Sequence, residues 1–283
     1  MPSPSTTSAS DKVPLKVPFM APNSPDNRPL RERYDEVKAR IAAAAQKSGR
    51  SAKDVLLVAV TKNASFDQIR EIISLGQVDL GENRVQQLQQ RAAQVDEFLA
   101  RRRELGGGAA GSKLPVAVRW HMIGTLQRNK IKKAIELVRL VHSVDNLRLA
   151  EDLQVAAERR ATPVEVLIEV NVAGERSKHG IAPAAAKPLV EMIDTMLSLK
   201  PRGIMCMAPL TEDKGVQRSV FERARDLFQD IRRSGVGGDR FDILSMGMSN
   251  DYETAIECGS NVVRVGTALF GPPQVAEEPE EEE

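Results

Sequence analysis

The chain has 283 residues, with 40 lysines and arginines against 39 aspartates and glutamates and a formal net charge of +1. That balance argues against a general nucleic-acid or membrane-surface binder, and no apolar run approaches the roughly 20 residues of a bilayer span. Two cysteines, Cys206 and Cys258, lack metal-ligand spacing and suit a reducing compartment; among His121, His142 and His179 no i, i+4 pair suggests a zinc site.

Residues 1–28 are rich in Ser, Pro and Thr. They lack the apolar core of a signal peptide and the repeated arginines of a transit peptide, and read as a disordered leader. A helix is expected over 30–48. Strand-like and helix-like patterns then alternate, with strands at 55–61, 78–82, 118–123, 138–144, 164–172, 203–207, 241–246 and 262–265. The intervening helices fall at 66–75, 84–102, 126–137, 146–160, 183–199, 216–235 and 251–258. Several strands are apolar nearly throughout, which suits parallel strands covered on both faces. The pattern predicts a single-domain α/β fold, a (β/α)8 TIM barrel over residues 29–272. An open doubly wound sheet ranks second, because no G-x-G-x-x-G follows an early strand. The stretch "GGGAAGSK" at 106–113 reads as part of a flexible insertion over about 104–114, and "EEPEEEE" ends an acidic tail, 273–283, read as solvated disorder.

In such barrels the binding and catalytic groups gather at the carboxyl ends of the strands. The first strand, "VAVTK", delivers Lys62 there; the second delivers "GEN" and the third "WHMIG". The fifth delivers Asn171 and a loop with "SKHG", the sixth Met205 and Met207, the seventh "SMGMSND" and the eighth "VRVGTALFG". Loops after strands seven and eight often bind phosphate. Here they offer the Ser249 hydroxyl and the N–H groups of a Gly266–Thr267 turn opening a short helix. Alone, Ser249 and Thr267 each read as ordinary helix caps; together at one barrel end they favour phosphate. Arg264 interrupts an apolar run and cannot deprotonate, so it needs either an internal carboxylate or a ligand acceptor. An amine in an apolar pocket beside another cation is biased to its nucleophilic form and can form a Schiff base with an aldehyde. A lysine facing a phosphate cradle therefore suggests a phosphorylated aldehyde. Pyridoxal 5'-phosphate fits, with aldolase sugar phosphates in reserve. His121 reads as a hydrogen-bonded core residue rather than a proton donor, Trp120 as packing, and Lys178 and His179 as a solvated loop.

The motifs "AVTK" (59–62), "GENRVQQL" (81–88), "RWHMIGTLQRNK" (119–130), "SKHGI" (177–181), "LSMGMSND" (244–251) and "VRVGTALFG" (263–271) resemble, in order, those of the pyridoxal-phosphate homeostasis proteins, over about residues 30–272. The resemblance implies a single barrel of the alanine-racemase N-terminal-domain type, without that enzyme's second domain. It implies pyridoxal phosphate on Lys62, phosphate contacts from Ser249, Gly266 and Thr267, Arg264 facing the pyridine nitrogen, and Asn83 and Met246 near the cofactor. It further implies a protein that buffers the cofactor or delivers it to apo-enzymes without efficient amino-acid turnover; a racemase-like enzyme is the alternative. Family members often carry tyrosine after "GEN", where this chain has Arg84. A monomer or weak dimer is expected, cytoplasmic, with the mitochondrion as the other candidate compartment.

Overall fold

The computed structural model describes residues 28–104, 114–175 and 179–272. The expected leader (but for Arg28), the glycine-rich insertion between Glu104 and Leu114, the acidic tail and Lys178 lie outside the described residues. Eight parallel strands close a barrel in sequence order. They are β1 (Leu56–Val60), β2 (Asp79–Glu82), β3 (Arg119–Met122), β4 (Val138–Val144), β5 (Val164–Glu169), β6 (Leu199–Met205), β7 (Ile243–Ser245) and β8 (Val262–Val265). The helices are α1 (Leu30–Lys47), α2 (Phe66–Ser74), α3 (Val85–Glu104), α4 (Ile131–Ile135), α5 (Leu147–Ala157), α6 (Pro183–Asp194), α7 (Lys214–Arg233), α8 (Tyr252–Glu257) and α9 (Thr267–Phe270). α1 precedes the barrel and packs against α8 and α9, beside the seam where β8 pairs with β1.

The strand pattern sorts side chains by alternation. Pairing sets Val58 opposite Arg264, Gly81 opposite His121, His121 opposite Leu140 and Met205 opposite Ser245, so these share the inner face. Their neighbours Ala59, Leu80, Trp120, Val141, Val166, Ile204, Leu244 and Val263 turn outward and join the helices in one large apolar cluster. Inside, a separate buried cluster consists of Leu140, Leu167 and Met205. Much of the remaining interior is polar: Asp79, His121, His142, Ser245, Glu169 and Arg264 are all buried.

Several expected elements differ. The sixth strand begins at Leu199 rather than 203, and α6 stops at Asp194. Proline argues against a strand because it lacks a donor. Here Val166 pairs with Pro201 and Leu167 with Gly203, so Arg202 is the extra residue of a bulge that absorbs the missing bond. Arg202 is anchored there, donating to Glu165 at 2.6 Å and Asp242 at 2.8 Å. The helix expected at 126–137 shrinks to a 3-10 turn, Arg128–Lys130, and the short α4, neither with a side-chain cap. The fifth strand ends at Glu169, followed by an isolated bridge from Val170 to Ile181.

Candidate functional site

Parallel closure puts every strand's carboxyl end on one rim. β1, buried from Leu57 to Val60, runs into a turn in which the Ala64 N–H donates to the Thr61 carbonyl at 2.8 Å. Ser65 and Gln68 then cap α2 reciprocally, so the helix begins four residues after Lys62. Arg91 of α3 grips the turn from behind. It donates to the carbonyls of Thr61, Ala64 (3.0 Å) and Lys62 (3.4 Å), and to the Glu82 carboxylate, which also accepts from the Thr61 hydroxyl. Burial pushes the Glu82 carboxyl up, against the pull of Arg91 and Thr61. The Lys62 side chain itself is exposed. The expected apolar pocket around the amine is thus corrected: the strand ends at Val60, and Thr61, not Lys62, turns into the wall.

The loops after β7 and β8 meet β1. A Cβ on Gly266 would lie 3.3 Å from both the Cβ and the carbonyl oxygen of Val60, so this turn abuts β1 two residues before Lys62. The Ser249 hydroxyl crosses from the β7 loop and accepts from the N–H groups of Gly266 and Ala268, each at 3.2 Å. Neither expected cap is found in its ordinary form. Asp251 precedes α8 and its carboxylate accepts from the Met248 N–H at 2.6 Å, while Thr267 is the exposed first residue of α9. Ser249, Gly266 and Thr267 are therefore brought together, at the first turn of α9.

Arg264 is buried on the inner face of β8. Its Nη1 donates to the Ser245 hydroxyl oxygen at 2.5 Å and its Nη2 to the Cys206 carbonyl at 3.1 Å. Among the described residues no carboxylate reaches ion-pair distance of it, so the internal partner considered from sequence is a pair of neutral oxygens. Burial pulls its pKa down from the usual arginine range, with Glu169 among the charges opposing that. Asn83, just past the end of β2, has a buried Oδ1 without a hydrogen-bond partner among the described residues. Its backbone fixes the glycine of "WHMIG": a Cβ on Gly124 would stand 2.5 Å from the Asn83 carbonyl oxygen. Met246 is fully buried in the helix-facing cluster, so it sits in the barrel wall and is not gathered with the polar groups.

Sequence reasoning placed His121 as a hydrogen-bonded core residue but missed the other groups behind Arg264, His142, Asp79 and Glu169. His142 lies 3.1 Å from the Ser245 hydroxyl and 3.0 Å from His121, which lies 3.0 Å from Asp79. Burial, with His121 and Arg264 nearby, pushes the His142 imidazole well below the ordinary histidine range. Asp79 is buried, which works against ionisation, but hydrogen bonds from His121 and Arg119 outweigh that and hold it low. Glu169, at the rim end of β5, is pushed up to about 7 by burial and by Asp145, against the pull of Arg264. The available signal was polar residues at inward positions of apolar strands, as in "LVHSV" and "VLIEV". His121 and Trp120 are buried as expected, Trp120 in the helix-facing cluster.

A guanidinium bonded to two neutral oxygens, an orphaned amide oxygen and a hydroxyl-bridged pair of backbone amides lie on the strands and loops that flank β1, which leads to the exposed Lys62, an arrangement able to hold a small anion. Comparison with known proteins agrees in kind. The alanine racemase N-terminal domain family matches residues 34–273. A pyridoxal phosphate homeostasis protein of Pseudomonas aeruginosa is 37% identical over 242 residues, 86% of this chain and 95% of that relative. A crystal structure of an unknown protein from Bifidobacterium adolescentis superimposes with a TM-score of 0.75 at 39% identity, covering 85% of this chain and 94% of that one. PipY of Synechococcus elongatus, solved with pyridoxal phosphate bound, superimposes with a TM-score of 0.67 at 30% identity, covering 86% of this chain and all of PipY (100%). The barrel, the ordered motifs and these relatives together make the chain a member of the pyridoxal phosphate homeostasis protein family, on the alanine racemase N-terminal domain fold.

Proposed function

We propose that this chain binds pyridoxal 5'-phosphate at the carboxyl rim of the barrel, attached through Lys62, and buffers or delivers it without efficient amino-acid turnover. The observation that carries the reading is Arg264, a buried cation whose partners among the described residues are all neutral, on the strand beside the one leading to Lys62. Such a group calls for an acceptor that the protein does not supply. In this reading Ser249, Gly266 and Thr267 hold the phosphate, Arg264 donates to the ring nitrogen, and the unfilled Asn83 oxygen accepts from the ligand. When bound, the cofactor supplies an aldehyde that condenses reversibly with amines and a ring that withdraws electrons. Arg264 stays protonated and so keeps the ring nitrogen unprotonated, which weakens that withdrawal. The exposed Lys62 keeps the attachment point open to acceptor amines. Cytoplasmic residence, apo-enzyme recipients and a monomer or weak dimer belong to the same proposal; no helix among the described residues is long and apolar enough to cross a membrane.

Racemase-like turnover is the second reading, favoured by Glu169, a buried rim carboxyl poised at about 7 where a general acid or base works best. One experiment separates them. The loaded protein is reduced with borohydride and mapped by peptide mass, then incubated with L- and D-alanine in deuterated water and with an apo-enzyme. The carrier reading expects the adduct on Lys62, transfer to the apo-enzyme and little α-deuterium exchange. An adduct on Lys130 instead would sink the attachment site. Exchange near the enzyme median of about 10 per second, abolished by Glu169→Gln, would promote the racemase.

A further inference from the structure

We propose that His142 is a positioning residue for Arg264: acting through Ser245, it fixes the guanidinium at one end of a one-way hydrogen-bond chain anchored at the Asp79–Arg119 pair. The proposal deepens the reading above, which assigns Arg264 to the ring nitrogen, but the chain can be tested without any ligand.

The polarity follows from the two ends. A guanidinium can only donate and an ionised carboxylate can only accept. Asp79 is held as the carboxylate by Arg119, whose Nε and Nη2 donate to it at 2.7 and 2.5 Å. Its partner at 3.0 Å, His121 Nε2, must therefore carry a hydrogen. With one hydrogen per ring, His121 Nδ1 is an acceptor, and His142 Nε2, 3.0 Å away, donates to it. His142 Nδ1 then accepts from the Ser245 hydroxyl at 3.1 Å, and the Ser245 oxygen accepts from Arg264 at 2.5 Å. Every hydrogen is used once and every link is satisfied. The competing arrangement places two hydrogens on His121 and one on His142 Nδ1. It makes Ser245 accept twice and leaves its hydroxyl hydrogen, on a fully buried side chain, with no acceptor among the described residues. Buried hydroxyls left so are strongly disfavoured. The low protonation tendency of His142 points the same way.

The consequence for Arg264 is geometric. Because the Ser245 hydrogen is committed to His142, the Ser245 oxygen presents its lone pairs to Nη1. With Nη2 on the Cys206 carbonyl, two points fix the guanidinium plane. Its other N–H groups remain for a ligand acceptor. A merely space-filling His142 would stabilise the interior without holding that plane.

The test begins with the free wild-type protein labelled with 15N-histidine and 15N-arginine, where His121, His142 and His179 give only three ring systems. Two-bond nitrogen–proton correlation at pH 7.5 should find His121 and His142 each with a single hydrogen, on Nε2. A hydrogen on His142 Nδ1, or two on either ring, would overturn the chain. The Arg264 Nη signals should be separate, as for a guanidinium unable to rotate. In His142→Leu they should merge, and in His142→Gln, which keeps an acceptor and a donor, they should stay separate. Separate signals in His142→Leu would overturn the positioning role; if that variant does not fold, the wild-type tautomers and Ser245→Ala decide. In the loaded protein, His142→Leu should weaken pyridoxal phosphate about tenfold and move the 15N shift of its ring nitrogen, with His142→Gln restoring both. Wild-type protein that binds no pyridoxal phosphate would refute the cofactor proposal and leave the tautomer and guanidinium results to judge this one.

Discussion

Ser249→Ala is expected to weaken pyridoxal phosphate while sparing unphosphorylated pyridoxal, and the size of the effect follows from what the hydroxyl does in each state. In the proposed complex it donates to the phosphate, and a hydrogen bond to a charged group contributes about 1.5–3 kcal/mol. In the free protein the same hydroxyl is already engaged, accepting from the Gly266 and Ala268 amides at the start of α9. That role resembles an N-cap, whose loss costs about 1 kcal/mol. Donating to the phosphate leaves the accepting role intact, so the capping loss falls on both states and cancels, and the net loss in affinity is that of the phosphate bond, about 1.5–3 kcal/mol, or roughly 10- to 150-fold. Binding is measured by the absorbance change on titration with each ligand, and the free protein by thermal denaturation. Equal losses for pyridoxal and pyridoxal phosphate would refute the phosphate contact. An unchanged melting temperature of the free variant would refute the capping role.

Four further outcomes are expected. Glu169 has a folded pKa of about 7 against an ordinary 4.5, so the stability it contributes is fully present below about pH 4.5 and is lost as pH rises through 7. Glu169→Gln should remove about 2.5 kcal/mol of that decline, seen in urea unfolding at pH 5 and 8; parallel pH profiles would contradict it. Arg91→Ala leaves the buried Glu82 carboxylate without its cation and should cost about 3–5 kcal/mol in chemical denaturation, whereas a loss below about 1 kcal/mol would show that the clamp is dispensable. Gly124→Ala forces a Cβ against the Asn83 backbone and should cost about 1–3 kcal/mol in thermal unfolding. Cys206, its thiol pushed up to about 12 by burial, and the buried Cys258 should resist thiol reagents in the native protein and react only on unfolding; prompt labelling at neutral pH would count against both placements.

The barrel was legible because apolar runs near 55–60, 164–169 and 262–265 stand at regular intervals between amphipathic stretches, a pattern few other folds share. Strand six was legible only in part: a proline in a strand reads as a break, and the Arg202 bulge that accommodates it depends on pairing with β5. At the site, the loop glycines and Ser249 could be placed because turn chemistry is local. The enclosure of Lys62 could not. Whether a side chain just past a strand end faces the wall or the solvent turns on one residue of register, and Thr61 takes the wall position by bonding Glu82 and the β2 backbone. The polar string from Asp79 to Arg264 was hidden for a different reason: its members are spread over β2, β3, β4, β7 and β8, and only closure brings them together.

The two faces of each strand carry separate duties. The outward residues lock the sheet to its helices in one extensive apolar cluster, while the inner apolar cluster is built on Leu140, Leu167 and Met205. Adjacent positions such as Leu244 and Ser245, or Val263 and Arg264, therefore answer to different selection: the first of each pair to shape and volume, the second to donor and acceptor complementarity. A lineage built on this barrel can change what its rim recognises by altering every second residue, leaving the scaffold that keeps the chain folded untouched.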